Sequence, residues 1–251
     1  MLDYLFLGSP PCKQDNVVSF ETCLGVPPTS GWSMSRTRRL VDISTALLLL
    51  LLFAVPMTII AACVWFTSRR NPLFSQERMG RNGRLFRIYK FRSMVELQRG
   101  VTEVGLNKRG DQRVTPFGRW MRKFKLDELP QFYNVLRGDM SLVGPRPKLP
   151  QYAGISNMPY RPGITGSATI AFRSEEEILR HVAPQQINTF YAEHIKPKKA
   201  RLDVCYMCRA TFYSDLRIVA STFLSCIVPD ACSVIPPSPC DFHELENHLG
   251  P

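Results

Sequence analysis

Several things that the 251-residue chain lacks narrow its chemistry before any motif is read. Neither G-x-x-x-x-G-K-[ST] nor G-x-G-x-x-G occurs, so P-loop kinase and Rossmann readings are missing the residues they need. The four histidines, His181, His194, His243 and His248, have no ligand spacing. The eight cysteines are scattered, and Cys205-x-x-Cys208 has no second pair or histidine cluster beside it, so no zinc–thiolate site is expected. No internal repeat is visible. There is no acidic excess either, with 21 Asp+Glu against 32 Lys+Arg and a net charge of +11. At 45% hydrophobic residues the chain is neither a disordered protein nor a fibre.

The positive charge is unevenly placed. Residues 69–148 hold 19 basic and 7 acidic residues, a net +12, and the rest of the chain nets −1. An anionic partner is implied for that stretch, with nucleic acid, phospholipid and nucleotide substrate as candidates. Charge is also wholly absent from Ile43 to Ser68, 26 residues and more than the ~20 that cross a bilayer core as a helix. The run starts too late and is too long for a signal peptide. Arg36, Arg38 and Arg39 precede it, Arg69 and Arg70 follow it, and Pro56 stands near its middle. Two basic flanks give no orientation by the positive-inside rule. A kinked spanning helix and a helix-break-helix returning to the same face both remain open.

Alternation over Leu85–Phe91, after a turn signal at Gly80–Gly83, predicts a strand and a small β-hairpin. Phe117, Trp120, Met121 and Phe124 share one helical face, with Arg119, Arg122, Lys123 and Lys125 around the rest. That pattern fits a core-facing helix or one lying in a membrane interface. Phe212, Leu216, Val219 and Phe223 predict a further helix near the C-terminus.

Pro130 is tolerated only in a first helical turn, which places Asp127 and Glu128 at or just before a helix N-terminus. In that basic setting the expectation is an ionised, exposed Asp127, usable as a nucleophile or metal ligand, or else a plain N-cap. Arg146, held between Pro145 and Pro147, is pre-organised as a phosphate fork. Arg161–Gly166 forms a second constrained turn.

Five ordered motifs make the chain resemble the bacterial sugar transferases of the monotopic phosphoglycosyl transferase family. They are Gln76–Gly80, Tyr89–Met94, Leu126–Gln131, Met140–Pro147 and Arg161–Gly166, within a resemblance running from about Arg38 to Leu224. The resemblance implies an α+β, predominantly helical fold with an N-terminal re-entrant membrane helix, and a cytoplasmic domain with interfacial amphipathic helices. The absence of periodicity and the prolines at both ends predict a poorly ordered extension (1–35, with Met34 an alternative start) and a loose tail (229–251), and the resemblance assigns 36–68 to the re-entrant helix and 69–228 to the catalytic domain. The implied reaction moves a sugar-1-phosphate from a UDP-sugar to undecaprenyl phosphate with Mg²⁺ and releases UMP, starting exopolysaccharide, capsule or O-antigen type assembly at the inner membrane. Asp127 would be the nucleophile, forming a covalent phosphosugar intermediate, and Glu128 would help to hold the metal. Lys90, Arg92, Arg122, Pro145, Arg146, Pro147, Arg173 and Asp203 match positions suited to binding the substrates. Membrane lipid and a second copy of the chain are the further partners expected; nucleic acid is set aside because lipid is the nearer polyanion. Two departures stand out: Val55-Pro56 where many members have Ser-Pro, and Ile164–Thr169 where many have Trp-Ala-Gln or a similar sequence after the glycine. A catalytically silent basic module on the membrane is the competing reading; the intact Asp127–Glu128 dyad weighs against it.

Overall fold

A computed structural model describes residues 30–94, 114–150, 158–173, 175–180, 182 and 186–227. The expected extension up to residue 29 and the expected tail therefore lie outside the described residues.

The apolar run forms two helices, α1 (Arg36–Leu52) and α2 (Ala54–Ser68). They meet at Phe53 with a 62° bend. The break comes three residues before Pro56, which sits in the first turn of α2. The reason is steric: a proline has no N–H for the carbonyl four residues back, and its ring crowds that carbonyl, so α1 stops at Leu52. No single helix among the described residues is long and apolar enough to cross a membrane, but this bent pair has the length and composition together.

The inner face of α1 is tied to the rest of the protein by polar side chains. Arg38 and Arg39, which the sequence presents as a basic flank, turn inward. Arg39 donates through Nη1 and Nη2 to the carbonyls of Val135 and Leu136, at 2.7 and 3.0 Å. Arg38 is buried, donates to the carbonyl of Val143 (2.8 Å) and pairs with Asp215 (2.9 Å). Asp42 accepts from Ser141 Oγ and the Leu142 N–H. Arg36 stays exposed.

Strands β1 (Leu73–Met79) and β2 (Leu85–Phe91) make the expected antiparallel hairpin, in register from Leu73 opposite Phe91 to Met79 opposite Leu85. Its turn needs two left-handed residues, Asn82 (φ 53°) and Gly83 (φ 73°), the two residue types that adopt that conformation most readily. Helix α3 (Pro116–Lys123) follows, capped by Thr115, and leads to α4 (Gln131–Arg137). Two three-residue strands, β3 (Ser141–Val143) and β4 (Gly163–Thr165), pair in parallel. A Cβ on Gly163 would lie 2.1 Å from the Gly144 nitrogen, so a side chain there would push apart the strands that frame Pro145–Pro147. The remaining elements are α5 (Ser167–Ala171), α6 (Glu175–Arg180), α7 (Ile187–Phe190) running through a π turn into α8 (Lys196–Arg209), and α9 (Phe212–Ile227).

Two apolar clusters hold this together. Ala46 of α1 packs with Phe86, Ile88, Val135 and Met140, and Ile60 and Val64 of α2 pack with Phe91, Met121 and Leu129. Both halves of the bent pair are thus seated on the hairpin and the α3–α4 region. That seating fixes the bent helix pair against the elements that carry the charged motifs.

Candidate active site

The site forms where the chain turns between α3 and α4. Lys125 is left-handed (φ 57°), Leu126–Glu128 make a single 3-10 turn, and Pro130 occupies the N-cap of α4. The dyad thus sits just before a helix, as its proline implies. The expectation of an exposed Asp127 is overturned: both carboxylates are buried, Asp127 at 7% exposure and Glu128 at 8%. Long-range packing of β2 and of the Pro145–Pro147 loop over the turn covers them, which local sequence does not reveal.

The two acids live differently. Glu128 Oε1 accepts from Lys90 Nζ at 2.8 Å and from Arg146 Nη2 at 3.1 Å. Burial pulls its carboxyl upward, yet Lys90, Arg146 and Lys125 together overcome this and hold it well below the ordinary range. Asp127 has no such partner. Its Oδ1 is buried and accepts no hydrogen bond among the described residues. Burial, then the neighbouring Glu128 charge, raises its pKa against the pull of Lys90, Lys125 and Arg122. Neighbours split the dyad into a structural anion and an unsatisfied one, a separation typical of functional sites.

The cations are positioned by other parts of the fold. Lys90 sits near the end of β2, and buried Asn134 of α4 pins that strand by accepting from the Tyr89 N–H and donating to the Arg87 carbonyl. Burial lowers the pKa of Lys90, opposed by Glu128. Glu128 raises that of Arg146, whose side chain is half-exposed between buried Pro145 and Pro147. The loop is clamped by the Gly163 N–H to the Pro145 carbonyl and the Met79 N–H to the Lys148 carbonyl, each 2.9 Å. Arg78 also donates to the Pro147 carbonyl. Beside Arg146 opens a recess with about 360 Å³ of open space, its mouth included, lined by Met79, Gly80, Pro145, Pro147 and Tyr160.

Lys90, Asp127, Glu128, Pro145, Arg146 and Pro147 are therefore brought together. Arg122 is within electrostatic reach of Asp127 and donates through Nε to Ser93 Oγ at 2.9 Å. Arg92 turns its Nε to the Asn71 carbonyl. Arg173 donates to the Ser225 carbonyl. Asp203 joins α8 to α5, accepting from the Ala168 N–H (3.3 Å) and Ser167 Oγ (3.5 Å). Burial pushes its carboxyl up to about 6 despite those hydrogen bonds and nearby Lys148.

Two sets of residues escaped the sequence reading. Asn134 and Arg78 position Lys90 and the Pro145–Pro147 loop; Arg78 lies in a quoted motif, and Asn134 carries no local signal. Lys199 pairs with Glu175 and lies over the rings of Phe172 and Tyr191, at 5.4 and 5.5 Å. Glu175 and Tyr191 are both within electrostatic reach of Arg146. The separation of 24 residues between Glu175 and Lys199 hides that cluster from any spacing rule.

With this geometry in view, the likeness to known proteins has a physical counterpart. The model of the family described as bacterial sugar transferase matches residues 33–229. The undecaprenyl-phosphate glucose phosphotransferase of Komagataeibacter xylinus is 42% identical over 171 residues, 63% of this chain and 32% of that protein. The UDP-glucose:undecaprenyl-phosphate glucose-1-phosphate transferase of Caulobacter vibrioides is 35% identical over 205 residues, 77% of this chain and 70% of that protein. An uncharacterized sugar transferase, EpsL of Bacillus subtilis, is 34% identical over 199 residues, 77% of this chain and 88% of that protein. The chain spans only about a third of the length of the Komagataeibacter relative.

Proposed function

Because the chain belongs to the bacterial sugar transferase family, we propose that it moves a sugar-1-phosphate from a UDP-sugar to undecaprenyl phosphate and releases UMP. The observation that carries this reading is the unpartnered Asp127 Oδ1, buried beside a Glu128 already held by Lys90 and Arg146. A binding module needs the cations but gains nothing from burying a carboxylate oxygen without a partner, which costs about 1–3 kcal/mol.

In the proposed reaction, Asp127 attacks the phosphorus that bears the sugar. An Asp127 oxygen–phosphorus bond forms, the bond from that phosphorus to the bridging oxygen breaks, and UMP leaves with the electron pair. An oxygen of undecaprenyl phosphate then attacks the same phosphorus and frees the Asp127 carboxylate. Arg146 and Lys90 offer the cations that the pyrophosphate charge requires, and the recess beside Pro145 and Pro147 is the opening next to them where the nucleoside would approach. Two adjacent carboxylates with an open oxygen fit Mg²⁺, which takes one or two carboxylates and completes its shell with substrate phosphates and water. Glu128 would hold it with Asp127 alongside, and when bound it would neutralise charge on the pyrophosphate. The lipid-linked product is the starting unit of an exopolysaccharide, capsule or O-antigen type glycan.

The membrane part of the reading rests on exposed apolar surface. Leu51, Leu52 and Val55, around the break, are 69%, 66% and 68% exposed, and exposed apolar residues grouped in this way mark a surface for a partner or a membrane. Trp120 of α3, Phe124 at its C-terminal cap, and Phe212, Leu216 and Phe223 of α9 are exposed as well. On this reading the bent pair dips into the cytoplasmic membrane and returns, and α3 and α9 lie in its interface.

Two experiments test these proposals. Purified protein incubated with radiolabelled UDP-sugars and undecaprenyl phosphate is expected to yield UMP and a lipid-linked sugar phosphate. Absence of both products across a broad donor panel overturns the enzyme. Single cysteines at Arg36 and Arg70 are expected to react with a membrane-impermeant thiol reagent from the cytoplasmic side alone, and labelling from opposite sides overturns the re-entrant anchor.

A further inference from the structure

A second basic recess lies at the start of α1, with about 330 Å³ of open space including its mouth. Its walls include Arg38, Arg39, Asp42, Arg81, Tyr160 and Arg161. Tyr160 also lines the recess beside Arg146, so the two openings share one buried aromatic wall.

The charges in this second recess do not cancel. Arg38 is spent on Asp215, and Asp42 on Ser141 and Leu142. Arg39, Arg81 and Arg161 remain against the single Asp42, leaving two positive charges without a counterion among the described residues. Their donors are not exhausted either. Among the described residues Arg161 uses only Nε, on the Gly138 carbonyl at 2.8 Å, which leaves both terminal nitrogens for a ligand. Arg81 makes no side-chain hydrogen bond among the described residues, and its Nε is buried without one. Burial, then Arg39 and Arg81, lowers the pKa of Arg161 against the weaker pull of Asp42, as expected where guanidiniums outnumber the one carboxylate beside them. The first turn of α1 contains no acidic residue and adds its own positive end.

Nothing in the fold needs this arrangement. Arg39 and Arg161 would serve as clamps for α4 and for Gly138 without Arg81 facing them, and like charges brought together cost stability. We propose that the recess between Arg39, Arg81 and Arg161 binds a phosphate group, distinct from the site at Asp127. Planar guanidiniums from three separate elements can fork onto the oxygens of one tetrahedral anion. Two sources present that chemistry at the start of the membrane-competent helix: the headgroup of an anionic phospholipid, and free phosphate from solution. The proposal does not depend on the transfer reaction.

The test uses the full chain in detergent, with inorganic phosphate as the probe and ³¹P line broadening as the readout. Arg81→Gln is expected to weaken the saturable broadening by at least about fivefold, with Arg81→Lys recovering most of it, because the loss is one of charge-assisted hydrogen bonds. Arg146→Gln is the control for phosphate bound near Asp127 and is expected to leave this component in place. A second arm places the protein in nanodiscs of phosphatidylcholine with phosphatidylglycerol and reads co-purified lipid by native mass spectrometry. Retention of phosphatidylglycerol that depends on Arg81 assigns a headgroup site, and phosphate binding without that retention assigns a soluble-anion site. The proposal is overturned if neither readout responds to Arg81→Gln or to Arg81→Gln combined with Arg161→Gln, or if the broadening follows Arg146 instead.

Discussion

Asp127→Asn is expected to abolish sugar-phosphate transfer, by at least about 10³-fold, while the folded state melts no lower than wild type. The two halves of that result come from the same burial. An amide has no charge with which to attack phosphorus, so the covalent route closes. The stability side follows from the sign of the shift. Burial and Glu128 raise the folded pKa of Asp127 above its unfolded value. Its contribution to stability is therefore fully present below the unfolded pKa and lost as pH rises through the folded one. At neutral pH the ionised side chain is a net liability, and a neutral isostere removes it. UMP release and thermal unfolding on the same preparation check both parts. Near-normal turnover would remove Asp127 as the nucleophile, and a large drop in melting temperature would show that its carboxylate holds the fold.

Glu128→Gln should behave in the opposite way. Here the carboxylate is the shared counterion of Lys90 and Arg146, and Gln leaves those two cations facing one another. Breaking one member out of a mostly buried ionic cluster costs on the order of 3 kcal/mol, so a clear loss of stability should accompany the loss of activity. The pH dependence distinguishes this from a generic defect. The folded pKa of Glu128 is depressed, so its stabilising contribution is present above the unfolded value of 4.5 and is lost as pH falls through the folded one. The gap between variant and wild type should be full at pH 7 and narrow below about pH 4.5. Denaturant titrations at several pH values measure it, and a gap unchanged down to pH 3 would mean that the Glu128 charge is not what the pair contributes.

Periodicity revealed what periodicity can. The strand at Leu85–Phe91 and the helices at Pro116–Lys123 and Phe212–Ile227 all repeat at the spacing of their type. Strand Leu73–Met79 has no alternation to read and forms because β2 offers it an edge. The three-residue strands β3 and β4 are shorter than any pattern, and their pairing depends on two glycines that let Gly144 and Gly163 touch. At the site, the chemically important residue types were legible, but their protonation tendencies were not. Burial of Asp127 is produced by chain segments up to 38 residues from its neighbour Glu128, and a local reading of helix end and basic neighbours gave the wrong environment. Arg38 and Arg39 show the same limit: their charge was visible, and their use as staples to backbone carbonyls was not.

The 62° bend at Phe53 also sets how deep the proposed anchor can reach. If both ends stay at one face and the bend is shared equally, each arm slopes at about 31° to the membrane plane, and the 17-residue α1 is about 26 Å long. The tip then lies only about 13 Å down, less than half of a hydrocarbon core of about 30 Å. An anchor placed in this way would wedge open one monolayer and leave the opposite one untouched. An anchor of that shape responds to lateral pressure and spontaneous curvature in a single leaflet, and hardly at all to the thickness of the bilayer that a spanning helix would have to match.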